Sequence, residues 1–199
     1  MSNVFYFKSL QNVKTNLLST FIMSYIPLGT TSPDFHLKAT DNNFYNLSSF
    51  SDKNILVVMF TCNHCPFVKA YEDRLIKIQE DYSNRSVSLV AINSNETINY
   101  PEDTFEKMQI RVTEKSYNFP YLRDEDQSVA SSYGASFTPE IFVFDSDRKL
   151  RYHGRIDDNK DPDSVTSSDL RLALDAILSD STVDNPETHG IGCSIKWVK

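Results

Sequence analysis

Cysteine is scarce in this chain: three in 199 residues. That is too few for a disulfide framework in a sequence of this length. No apolar run is long enough for a transmembrane helix, so no membrane role is expected. Positive charge is also short. Twenty Lys and Arg face 27 Asp and Glu, for a net charge of −7, which argues against nucleic acid as a general partner. No internal repeat or low-complexity segment is present. The length suits one domain of ordinary size, and 40% apolar with 12% aromatic residues supply a sizeable core.

Two of the three cysteines stand close together. Ile55 to Phe60 is an unbroken apolar run rich in β-branched residues, as in a strand covered on both faces. It stops at Thr61-Cys62-Asn63-His64-Cys65. Pro66 follows, a residue tolerated in a first helical turn. Beyond it Phe67, Val68, Tyr71, Leu75 and Ile78 recur at helical spacing. Cys62 and Cys65 are therefore expected at a helix N-terminus, where partial positive charge and free N–H groups favour a thiolate. His64 lies between them and is expected to add to that effect at Cys62. The C-x-x-C spacing puts the sulfurs one turn apart, within reach of a disulfide.

Zinc would need four ligands. A lone C-x-x-C gives two. His64, His189 and Cys193 could complete the set, but no second close pair exists, so neither a metal nor any other cofactor is expected.

Residues 1–25 show no period that fits a core element and are expected to be a poorly ordered extension. Leu17 to Ile26 is a short apolar run diluted by serine and threonine, with no small-residue cleavage site. Cytoplasmic residence is expected, with export the alternative if this stretch acts as a signal. A main domain over 26–180 follows, and 181–199 is expected to be a tail packed upon it.

Phe35-His36-Leu37 and Phe44–Leu47 suggest an early hairpin, followed by a helical turn to Phe50. Ser86 to Asn93 reads as a second buried strand. Asn93 and Asn95, near its end, could line a site. Pro101 to Lys115 reads as one helix with Glu102 and Asp103 in its first turn. An extended segment at Phe119–Leu122 and a short helix closed by Gly134 come next. Ile141–Phe144 and Lys149–Gly154 form a hairpin. Arg155 to Val165 is an acidic loop without the spacing of an EF-hand. Thr166 to Leu178 is an amphipathic helix, with Ser167 or Ser168 as cap and Leu170, Leu172, Leu174 and Ile177 as its apolar positions. Strand–helix–strand units predict a parallel portion and the late hairpin an antiparallel one.

This order, with TCNHCP at a strand–helix junction and Thr138-Pro139 before a hairpin, resembles the thioredoxin-like superfamily. More closely it resembles the redoxin branch, which includes the alkyl hydroperoxide reductase/thiol-specific antioxidant and TlpA-like proteins. The likeness runs from about Ile26 to Lys199. It implies an α/β thioredoxin-like fold, a central mixed sheet flanked by helices, here with an added N-terminal hairpin. It implies that Cys62 is the nucleophile, Cys65 the resolving thiol and Pro139 a cis-proline packed against them. Asn63, Phe137 and Thr138 would bind substrate, the backbone before the proline pairing with an extended chain. A stabilised Cys62 thiolate would make the disulfide a stronger oxidant than thioredoxin's.

The chain departs from the pattern twice. The strand before the cysteines carries no carboxylate; Glu140 or a water could substitute. Phe137 stands where relatives often carry cysteine. Cys193 could resolve Cys62, bind metal, or pack beside Trp197, and packing is the expectation.

Three functions compete. The first is thiol–disulfide exchange between a protein or small-molecule disulfide and a thiol electron donor. The second is antioxidant peroxidase chemistry with Arg155 near the peroxide; the third is copper or zinc binding. The first is preferred. It requires the two sulfurs to lie together, within reach of a partner.

Overall fold

The computed structural model describes residues 25–190 and 192–198. The expected extension and signal-like run therefore lie almost wholly outside the described residues. Seven strands form one mixed sheet in the order β2-β1-β5-β4-β3-β7-β8. Its centre is β3 (Ile55–Thr61), buried throughout. It lies parallel to β4 (Val87–Asn93) and antiparallel to β7 (Glu140–Phe144). β5 (Tyr121–Arg123) extends the parallel portion. β1 (His36–Ala39) and β2 (Phe44–Asn46) form the early hairpin at one edge, and β8 (Leu150–Gly154) closes the other.

β3 explains the core. Its alternate residues face opposite layers, as the pleat demands. Ile55, Val57 and Met59 pack with Tyr71, Leu75 and Ile78 of α1 (Pro66–Ser83) and with Leu170 and Leu174 of α4 (Asp169–Leu178). Leu56, Val58 and Phe60 pack with Val129, Ala130 and Tyr133 of α3 (Ser128–Tyr133) and with Phe35 and Phe50. Burial on both faces is why the run reads as continuously apolar. No described helix is long and apolar enough to cross a membrane.

Two expected helices differ. Pro101–Lys115 is not one helix. A 3-10 turn at Pro101–Asp103 is separated from α2 (Phe105–Lys115) by Thr104 in extended conformation. The break turns the Asp103 carboxylate into the interior, where it is wholly buried. In α4 neither serine caps: Ser168 occupies the cap position without a side-chain hydrogen bond, and Ser167 donates to Asp169 at 3.0 Å. Leu172, expected to be apolar and inward, is 60% exposed.

The tail adds a second sheet. β6 (Phe137–Thr138) pairs antiparallel with β9 (Cys193–Ser194), setting Thr138 opposite Cys193.

Candidate active site

Cys62 follows the last residue of β3, and Cys65 is the N-cap of α1. The two sulfurs belong to one small cluster with Val68. The Thr138–Pro139 bond is cis, and this loop lies against both cysteines. Thr138 Oγ1 is 3.3 Å from Cys62 Sγ, and Cys65 Sγ donates to the Thr138 carbonyl at 3.3 Å. Cysteines, Thr138 and Pro139 therefore converge from parts of the chain more than seventy residues apart.

Charge in the site differs from the expectation. His64 Nδ1 lies 2.6 Å from Asp103 Oδ2, and its ring stacks on Tyr100 at 5.1 Å. It is engaged by a carboxylate rather than by Cys62. The Asp103 carboxylate also accepts from the Asn63 amide at 2.6 Å, Asn95 Nδ2 at 2.9 Å and Asn93 Nδ2 at 3.3 Å. Thus Asn93 and Asn95 do reach the site, as struts for a buried acid. Asp103 is the site residue that sequence reading missed. In the sequence it resembles an ordinary first-turn acid, and no local pattern marks it as buried.

The thiols respond together, so their protons come off as a pair's. The Cys65 thiol is pulled well below the ordinary range, first by its hydrogen bond with Cys62 and further by Cys193 and the Val68 amide, against burial. Cys62 is pushed up by that same bond, by burial and by the Asp103 charge. The hydrogen bond between them thus favours charge at Cys65 over Cys62, the reverse of the direction that the helix dipole and His64 had suggested for Cys62. The reduced protein is expected to show thiolate ultraviolet absorbance already well below the usual thiol pKa. That absorbance should vanish in Cys65→Ser. Linkage gives the sign for stability. A depressed folded pKa contributes stability above the unfolded thiol value, lost as pH falls through the folded one. The raised Cys62 and Cys193 work oppositely, so stability should fall again above the ordinary thiol range.

Glu140 does not replace the missing strand carboxylate. It is buried, and Oε2 accepts from the amides of Ser136 at 2.7 Å and Phe137 at 3.1 Å, while Oε1 meets His153 Nε2 at 2.7 Å. Its role is to hold the loop that ends in Thr138. Glu140→Ala is expected to cost ~1–3 kcal/mol for each buried donor left without a partner. Chemical denaturation checks this, and hydrogen exchange should quicken at Ser136 and Phe137.

The residues expected to bind substrate are largely occupied. Asn63 is buried; Nδ2 donates to the Glu102 carbonyl at 2.7 Å and Oδ1 accepts from Tyr121 at 3.0 Å. It braces the turn. The edge at Phe137 and Thr138 that would receive an added strand already carries the chain's own β9. The tail is further tied by Ile195 N to the Ser136 carbonyl and Lys196 N to Asn95 Oδ1. Gly192 lies so close to the Thr138 carbonyl that a Cβ would strike it. Under this cover Cys62 and Cys65 are 1% and 0% exposed. Cys193, expected to pack beside Trp197, joins the cysteine cluster, its Sγ 2.7 Å from Cys65 Sγ, and Trp197 is 42% exposed.

One flank is not lined by the tail. A cavity of about 260 Å³ is lined by Phe67, Tyr71, Pro139, Arg155, Asp157 and Lys160, among others. Arg155 there donates to Asp169 at 2.7 Å, an ion pair. Ligand atoms of Cys62, His64 and Asp103 lie within 4.8 Å of one another. The Asp103 oxygens, however, are already taken up by four donors.

The Redoxin family model matches residues 27–172. Among curated proteins, the thiol-disulfide oxidoreductase ResA of Geobacillus thermodenitrificans (strain NG80-2) is 25% identical over 128 residues. The match spans 63% of this chain and 68% of that protein. Among solved structures, a hypothetical protein of Sinorhizobium meliloti 1021 is 42% identical, with TM-score 0.83 over 88% of this chain and 97% of its own. A conserved protein of Geobacillus kaustophilus is 44% identical, with TM-score 0.82 over 86% and 93%.

Proposed function

The chain belongs to the redoxin family, and from that premise we propose that it is a thiol–disulfide oxidoreductase whose working pair is Cys62 and Cys65. The observation that carries this reading is the meeting of both sulfurs with Thr138 at the mouth of α1. The similarity to a curated thiol-disulfide oxidoreductase supports it.

The exchange runs in two displacements. Cys62 passes its proton to the neighbouring Cys65 thiolate and attacks one sulfur of a substrate disulfide. That S–S bond breaks, and one half leaves as a thiolate. Cys65, once deprotonated again, attacks Cys62 Sγ. The mixed disulfide breaks, the second half leaves, and the pair remains as Cys62–Cys65 disulfide. Two electrons have passed to the substrate. A thiol donor restores the pair.

Burial constrains access. A substrate chain that pairs with β6 requires β9 to leave it. Phe67 and Pro139 line a neighbouring cavity that neither the tail nor either cysteine lines, so a disulfide seated there still needs the cover over Cys62 to move. Asp103 works against negative charge on Cys62. This makes Cys62 a stronger attacking thiolate once formed and a poorer leaving group than the sequence alone implies.

The test is equilibration in glutathione redox buffers with thiol counting. In a Cys193→Ser background, which leaves only the C-x-x-C thiols, a single two-electron transition that needs both Cys62 and Cys65 is expected. Absence of that transition, with hydrogen peroxide consumed at the expense of a thiol donor, would favour the peroxidase alternative.

A further inference from the structure

We propose that Cys193 is a third redox-active thiol of this site, which takes Cys65 from the Cys62–Cys65 disulfide and carries the bond into the C-terminal tail. The inference rests on the oxidoreductase reading and extends it to a residue outside the C-x-x-C pair.

Position is the first ground. Cys193 is 128 residues from Cys65 in sequence, yet its Sγ lies 2.7 Å from Cys65 Sγ. That is closer than two unbonded sulfurs normally pack, and a disulfide needs only a further approach to about 2.05 Å. The backbone holds it there. β9 pairs with β6 so that Cys193 lies opposite Thr138, whose carbonyl accepts from Cys65 Sγ. Gly192, the residue before it, is seated on the same carbonyl.

Exposure is the second ground. Cys62 and Cys65 are almost wholly buried, so a disulfide between them is shielded from a thiol donor. Cys193 is only half-buried. Moving the bond from Cys62–Cys65 to Cys65–Cys193 brings one of its sulfurs toward solvent.

The step balances without an added oxidant. The Cys193 thiolate attacks Cys65 Sγ. The Cys65–Cys193 bond forms as the Cys62–Cys65 bond breaks, and the electron pair leaves on Cys62, which takes up the proton Cys193 gave up. Nothing is oxidised or reduced; the substrate disulfide supplied the oxidation beforehand. A monothiol donor then attacks Cys193, freeing Cys65. A second donor molecule displaces the first from Cys193 as a donor disulfide.

Charge favours the order of events. Burial, the Cys65 bond and the Cys65 charge hold the Cys193 thiol up, to about 11, against the pull of Lys196. Once Cys65 is in a disulfide its charge is gone, while Lys196 remains.

The experiment is peptide mapping. Reduced full-length protein is oxidised with diamide, its remaining thiols are alkylated, and it is digested with trypsin without reductant. Cys62 and Cys65 share the peptide Asn54–Lys69, and Cys193 lies in Leu172–Lys196. The expected result is a cross-link between these peptides in the wild-type protein, and again in Cys62→Ser, where only Cys65 can supply it. The proposal requires the link in both. An internal disulfide in Asn54–Lys69 with Cys193 fully alkylated would overturn it and leave the oxidoreductase reading standing. Complete alkylation of all three thiols after oxidation would overturn both.

Discussion

Cys62→Ser is expected to abolish the reduction of insulin by dithiothreitol above its uncatalysed rate, a loss of at least about 10³-fold of the sort seen when an enzyme's nucleophile is removed. Cys65 cannot take over the first attack. Its Sγ is held by the Thr138 carbonyl and by Cys193 Sγ, and its depressed pKa makes it a weaker nucleophile per thiolate. Cys65→Ser should behave differently. Cys62 can still attack, but nothing in the pair resolves the product, so a mixed disulfide with insulin chains should accumulate on non-reducing gels. Equal turnover by Cys62→Ser and the wild-type protein would end the assignment of Cys62 as nucleophile.

Asp103→Ala is expected to have the largest effect on stability, a loss of ~3–5 kcal/mol, as when one partner is taken from a buried charged cluster. The Asn63 amide, His64 Nδ1 and the Asn93 and Asn95 side-chain amides would all lose their acceptor. Two of these belong to the turn between the cysteines, so that turn should loosen with the global loss. Asp103→Asn keeps one acceptor oxygen and the volume and should recover part of the stability. It also removes the charge that opposes a Cys62 thiolate, so deprotonation of Cys62 should become easier. Urea unfolding gives the first quantity, and thiolate absorbance against pH gives the second. An Asp103→Ala protein as stable as wild type would show that the four donors find water instead.

Local pattern carried far in this chain. The strand–C-x-x-C–helix unit is legible because an unbroken β-branched run, a proline and a change of period are all features of neighbouring residues. The hairpins at β1–β2 and β7–β8 are legible for the same reason. The helix over Pro101–Lys115 was misread because Pro101, Glu102 and Asp103 satisfy every first-turn preference. Only the donors waiting at Asn63, His64, Asn93 and Asn95 turn Asp103 inward and break the helix at Thr104. Asn63, a substrate contact by the family resemblance, has its side chain engaged by Tyr121 and the Glu102 carbonyl, partners that no local pattern marks.

The sequence by itself determined that two thiols stand at the start of a helix following a buried strand, since spacing along a few residues decides both. The tertiary structure alone decided which groups surround them. Asp103 reaches His64 across 39 residues and Cys193 reaches Cys65 across 128. Strand order and the path of the tail bring these groups together, and neither leaves a period or motif in the residues themselves.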